Sequence, residues 1–426
     1  MNIKSLAVLV LLFSLFCRSL PAAEAVVEGQ PLSVRQCIDI ALDHHPSIRA
    51  AGSNIEQAES RIGQARAGYL PQIGFQSAYS RIGPPATALR TDPYNAYSHT
   101  LSLNQTLFDF GKTWTQMDIS GLQTDAARND FEDVRASVIF DVKQAFYDVV
   151  KTSMSEKVAQ ETLKQFEEHY QIAKTFFETG KSSKIDVTSA EVNLTNARIQ
   201  LLSAQNASRL AHASLSKAMG VTSMPSCKVI EEFQTEMDDL SFDEALSYAM
   251  DRRPDLQSIA KKTLALEKNV RLTRKNYLPV LSGGASYGYS GDDTSMDDSW
   301  TVGVSLSVPI FSGLSTKYAV DEAVAGAKVA QANMETLRQR IQLEVQTAWL
   351  GRAEAFQRID AGRTIVRQAE ETLELARGRY TTGVGSSIEI TDAMIQLNNA
   401  KMIHITALAD FAVAQAALEK AMGAFQ

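Results

Sequence analysis

Glu389 and Asp392 stand three residues apart in the run Ser386-Ser387-Ile388-Glu389-Ile390-Thr391-Asp392, where a helical pattern begins. That spacing puts both carboxylates on one helix face, in the first turn, where the helix dipole stabilises anions. Alone they are helix-start acids. Repeated around a symmetry axis they would form a ring that favours cations and repels anions. The other chemical signals do not assemble. Gly180-Lys181-Ser182 resembles the end of a phosphate loop, but the required upstream glycine is Thr175 and the context is a helix end, not a strand-to-helix turn. His44-His45 could hold a metal, yet the equivalent pair in an internal repeat is Arg252-Arg253, so cations near a helix C-terminus account for both. The remaining histidines are scattered, and no Ser/His/Asp or Cys/His set has a supporting motif. Neither enzyme activity nor a cofactor nor a metal is expected.

The elements that carry these residues begin after a leader. Lys4 gives a positive start, Leu6 to Phe16 is an apolar run too short to span a bilayer, and Ala23-Glu24-Ala25 fits a cleavage site, so 1–25 reads as a signal peptide. Beyond it no apolar stretch of helix-spanning length is expected. The chain then lies outside membranes or enters one as β-strands. Its formal charge of −7 becomes more negative once Lys4, Arg18 and Glu24 are removed, which argues against nucleic acid as a partner. Cys37 and Cys227 remain; export permits a bridge between them, and two small buried residues explain them equally well.

The mature chain is a duplication. Leu32-Ser33 recurs as Leu240-Ser241, Pro46 as Pro254, and Tyr69-Leu70-Pro71 as Tyr277-Leu278-Pro279. Further on, Gly180 recurs as Gly383, Ser183 as Ser386, and Ala218-Met219-Gly220 as Ala421-Met422-Gly423. The first unit covers 26–220: helical stretches interrupted at Pro46, strands near 72–81 and 97–108, a long helix near 112–179, a tip at 180–183 and a return helix over 184–219. A linker, 221–239, lies at mid-height. The second unit covers 240–426, with strands near 280–289 and 300–309, a long helix near 315–381, a tip at 383–387 and a return helix over 388–422.

Trp300, Val302, Val304, Leu306 and Val308 alternate with Thr301, Gly303, Ser305 and Ser307; Ile73, Phe75 and Tyr79 alternate with Gly74, Gln76 and Ser80. This period of two suits a bilayer strand with one face to lipid and one to water, and equally a half-buried soluble sheet. Four strands cannot close a barrel, since about eight is the smallest found. If they span, copies must share one barrel, and strand number alone allows a dimer or a trimer. The long helices, at 1.5 Å per residue, would reach roughly 100 Å. Ala190, Ala197, Ala204, Ala211 and Ala218, with Leu194, Leu201 and Leu215, form a heptad seam that is repeated at Ala393, Ala400, Ala407, Ala414 and Ala421.

On these residues the chain resembles the TolC-like outer-membrane factors of Gram-negative bacteria, over essentially the whole mature sequence. The carriers are the openings ending in Pro46 and Pro254, the Tyr-Leu-Pro entries, the exits Leu107 to Gly111 and Ile310 to Gly313, and the two tips. The resemblance implies a mainly α protein with membrane β: a homotrimer forming a twelve-stranded β-barrel in outer-membrane lipid on a long α-helical barrel in the periplasm. It implies an exit duct for efflux or type I secretion, docked through a periplasmic adaptor to a proton-driven or ABC inner-membrane pump. The adaptor would meet the tips at Gly180, Ser183, Gly383, Gly385 and Ser386. Glu389 and Asp392 would line the periplasmic aperture, with Tyr380 and Asp186 helping to hold it shut. The family's basic tip position is Gly385 here, and Lys184 is the candidate replacement. A soluble periplasmic coiled-coil adaptor or scaffold is the alternative. Cargo is chosen mainly by the pump and is not legible.

Overall fold

The computed structural model describes residues 31–83, 92–222, 228–231, 233 and 236–425; the expected leader and Cys227 lie outside them. Ser33 opens the chain's first helix with a capping box, its hydroxyl and backbone answered by Gln36. That helix, α1, is Val34–His44, and Pro46 at the first position of the next starts α2, Pro46–Arg66. After a short turn come β1, Gln72–Ile82, and β2, Tyr94–Phe108. The long helix α3 is Lys112–Glu178 and the return helix α4 is Lys184–Ala218. The second unit follows the same order. It comprises α5 (Phe242–Arg252), α6 (Pro254–Arg274), β3 (Val280–Gly291), β4 (Met296–Ser307), α7 (Ser315–Thr381) and α8 (Ser387–Ala421).

The strands form one antiparallel sheet in the order β1-β2-β3-β4. Its register sorts residues by chemistry. Ile73, Leu103, Ala285 and Val302 are aligned across all strands, as are Phe75, Leu101, Tyr287 and Trp300. The intervening rows are Gly74, Ser102, Ser286 and Thr301, and Gln76, Thr100, Gly288 and Ser299. Side chains alternate across a strand, so these rows form an apolar band on one face, bounded by the row Ser77, His99, Tyr289 and Asp298, while the other face is small or polar. β4 runs Met296–Ser307 in place of the expected 300–309. The acidic run before Trp300 reads as loop, but Asp292 Oδ1 accepts from the backbone N–H groups of Thr294 and Ser295 at 2.8 and 3.2 Å and tightens the hairpin turn. β2 likewise starts earlier, at Tyr94, and Ser387 belongs to α8 and not to the tip.

Each long helix has 67 residues, hence roughly 100 Å at 1.5 Å per residue. Strand becomes helix through consecutive left-handed residues, Phe110 and Gly111 in one unit and Gly313 and Leu314 in the other. Both tips reverse through glycines at positive φ, +72° at Gly180 and +80° at Gly383. In each, the residue after the glycine donates five residues back: Lys181 N–H to Phe176 O and Val384 N–H to Arg379 O. These Schellman closures satisfy helix-end carbonyls.

Across the subunit α3 packs on α2 and α4 along one side, and on α6 and α8 along the other; α7 closes the far margin against α6 and α8. The heptad seam is the packing seam: Ala190, Leu194, Ala197, Ala393, Leu397 and Ala400 are buried, with Phe166 of α3 and Leu373 of α7 in the same core. A second core at mid-height gathers Cys37, Val142, Phe146, Val149 and Leu215. There the linker pairs with the chain's start, Leu32 N–H to Lys228 O at 2.8 Å and Ile230 N–H to Leu32 O at 3.0 Å. The expected cation pairs split. His44 and Arg252 lie in last helical turns, whereas His45 and Arg253 are the N-caps of α2 and α6. One expectation fails outright: α8 is long and apolar enough, at a mean hydropathy of 1.2, to cross a membrane. Many of its apolar residues, including Ala407, Phe411 and Leu418, are buried among neighbouring helices.

Candidate functional site

The acid pair sits where the α7–α8 hairpin turns. Glu389 and Asp392 are both exposed. Ser386 Oγ accepts from the Glu389 N–H at 3.3 Å, capping α8. The Glu389 carboxylate accepts from Arg379 Nε at 3.2 Å, across the turn. Within the subunit the base near Glu389 is Arg379, and Lys184, the candidate for the basic tip position, is exposed on the other hairpin. Gly385 cannot carry a side chain there without movement: a Cβ would lie 2.9 Å from Arg379 Cβ and 3.0 Å from the Tyr380 nitrogen. Sequence reasoning passed over Arg379 because it is ten residues from its partner. The available signal was its place one residue before Tyr380, in the last turn that a tight reversal folds back onto the first turn of α8.

Tyr380 is buried within the subunit and not exposed at its tip. It is 6% exposed. Its ring packs 5.4 Å from Phe176 and 5.7 Å from the His169 imidazole, both on α3. Burial pushes its hydroxyl's pKa up, the charge of Asp186 pushes it further, and the nearby Ser387 hydroxyl opposes both. No group reaches that hydroxyl at hydrogen-bond geometry among the described residues. Asp186 is itself engaged at the start of α4, accepting from the Ser183 N–H at 3.0 Å and its hydroxyl at 2.8 Å. The structure thus brings Tyr380 and Asp186 near each other, at the junction of the two hairpins, and sets Glu389 and Arg379 apart on the surface. Among the described residues no His, Cys, Asp and Glu group could hold a metal ion.

At the other end of the helices the sheet presents its apolar face outward and unpaired. Ile73, Phe75, Trp300, Val302, Val304 and Leu306 are all exposed. Among the described residues, β1 and β4 each have one edge without a strand partner. Such a sheet, carried on an antiparallel coiled coil of this length, has the strand lengths and the alternation of a bilayer-spanning β-sheet.

Residues 37–221 and 245–424 match the profile of the outer membrane efflux protein family, and the chain belongs to that family. A probable efflux pump outer membrane protein of Pseudomonas putida, TtgC, is 24% identical over 405 residues, covering 92% of this chain and 83% of TtgC. AprF of Pseudomonas aeruginosa, an alkaline protease secretion protein, is 22% identical over 392 residues, covering 87% and 81%. Among solved structures, CusC superposes with a TM-score of 0.80 at 19% identity, over 95% of this chain and 97% of that one. The protein is an outer-membrane exit duct with its helical part in the periplasm, and family membership displaces the alternative of a soluble scaffold.

Proposed function

We propose that three copies of this chain close one barrel and one helical tunnel, forming the passive exit of a tripartite efflux or type I secretion assembly. The observation that carries it is the sheet register: an apolar band on one face, flanked by two open edges, cannot sit in lipid unless the edges are paired by other copies. A second feature supports the same arrangement. Ile185, Val192 and Ile199 recur every seventh residue along α4 and are exposed, as are Leu343 and Leu350 on α7. These stripes lie on the two opposite margins of the subunit, where only another copy can cover both in a closed ring.

In that ring the Glu389 and Asp392 carboxylates repeat at the periplasmic mouth and set a preference for cations, moderated by Arg379. The tips around Gly180, Ser183, Gly383, Gly385 and Ser386 are the surface for a periplasmic adaptor, which would join the duct to a proton-driven or ABC pump in the inner membrane. Relatives named for efflux and for protease secretion both fit, so cargo choice belongs to the pump.

The test is mass and conduction. Purified protein in detergent should have three times the 46.6 kDa chain mass, less any leader, and should conduct ions in planar bilayers. A monodisperse monomer that never conducts would end the reading.

A further inference from the structure

At the junction of the two hairpins lies an imidazole that neither the barrel nor the acid pair uses. His169 of α3 is 2% exposed. Its Nε2 lies 3.1 Å from the Ser387 hydroxyl at the start of α8. Its ring packs against Tyr380 in the last turn of α7. A cavity of about 190 Å³ adjoins it, lined by Glu168, Ile172, Arg377, Tyr380, Ile390 and Met394. One residue of the first hairpin therefore touches both arms of the second, within a few residues of its turn.

We propose that His169 is a positioning residue whose neutral imidazole holds the α7–α8 tip against α3, and whose protonation releases that tip. The inference rests on the duct reading and deepens it by naming a control of the periplasmic end.

The charge environment decides the direction. From α7, Arg377 faces the ring with a positive charge and Tyr380 with a neutral hydroxyl; from α4, Asp186 offers a negative charge; from α8, Ser387 offers only a hydroxyl. Glu168, beside it on α3, lines the same cavity. Burial first, then Arg377, lowers the imidazole pKa below its ordinary 6.5, and Asp186 only partly offsets this. In the packed state the ring therefore resists charging; once the tip swings away and water enters, it recovers its ordinary basicity. The contact is fully present above the ordinary value of 6.5 and is eroded as the pH falls below it. Tyr380 strengthens the argument: a buried hydroxyl without a partner of good geometry is tolerated by tight packing, and it gains a partner, water, as soon as the tip parts.

The experiment uses the full chain in planar bilayers, with conductance followed from about pH 7.5 to about pH 5.5, across the ordinary imidazole range. Wild-type conductance should rise as the pH falls, with the packed state losing up to about tenfold in population per subunit at one unit below the ordinary value. His169→Gln can still hydrogen-bond Ser387 and His169→Leu can still pack, but neither can be charged. Both should conduct at neutral pH and show no rise over that range. Carboxylates at the mouth are common to all three proteins, so their titration cancels in the comparison. A wild-type response that persists in both variants, or a wild type that conducts equally at every pH, overturns the proposal and leaves the duct standing. Absence of conduction by all three proteins at every pH removes the duct as well.

Discussion

At the scale of single residues, the tip separates two kinds of polar group that sequence alone merges. Glu389 answers to Arg379 in water, at 3.2 Å, with both side chains well exposed. Such pairs add little stability, about 0–1 kcal/mol, so their weight is electrostatic. Arg379→Ala should leave folding unchanged and strengthen cation preference in reversal-potential measurements; a shift toward anions would contradict the placement. Glu389→Ala with Asp392→Ala should raise single-channel conductance and abolish block by divalent cations, and unchanged block would discard the acid ring. Tyr380 belongs to the other kind. Because its hydroxyl lacks a partner of good geometry, Tyr380→Phe should be neutral or stabilising by about 1 kcal/mol, while Tyr380→Ala should cost about 3–5 kcal/mol through the cavity it leaves. Comparison of the two thermal midpoints distinguishes a packing role from a hydroxyl latch, which would instead be lost in both.

At the scale of elements, the sheet makes the sharpest claim, because adjacent residues of β4 face different media. Val302 lies in the apolar row with Ile73, Leu103 and Ala285, and Thr301 in the wet row with Gly74, Ser102 and Ser286. Val302→Arg should cost about 2–4 kcal/mol per copy for a cation in mid-bilayer and deplete the protein from outer-membrane fractions. Thr301→Arg should assemble normally and reduce cation conductance. Equal tolerance of both would put the sheet in the wrong medium. This alternation was legible in the sequence because a period of two needs no tertiary information. The helix ends were legible too, since Gly180 and Gly383 recur at matching positions and each meets the positive φ of a Schellman closure. What escaped were properties set by contact across a turn or between helices. The Arg379–Glu389 pair, the burial of Tyr380 and the His169–Ser387 contact, 218 residues apart in the chain, have no local pattern. The start of β4 was misplaced because Asp292 makes a tight turn from residues whose composition says loop. α8 reaches a span-like hydropathy through seam alanines that pack between helices.

At the scale of the molecule, duplication sets how the two units interleave. Each unit supplies a hairpin of strands and a hairpin of helices, and the first unit's α3 lies between α4 of its own unit and α6 and α8 of the other. That interleaving uses up the inner seams and leaves α2 and α4 on one margin and α7 on the other. Those margins carry the edges of β1 and β4, and the exposed stripes at Ile185, Val192 and Ile199 and at Leu343 and Leu350. The stripes should therefore matter to assembly and hardly at all to the subunit's own fold. Val192→Glu with Ile199→Glu would bury two uncompensated charges per interface, and breaking association is the cheaper outcome. The expected result is a helical monomer in detergent, with wild-type circular dichroism but the mass of one chain, and no conductance. A double variant that remains trimeric and conducting would mean that neighbouring copies meet along some other surface. Loss of helix content together with the trimer would mean instead that the stripe belongs to the interior of a single subunit.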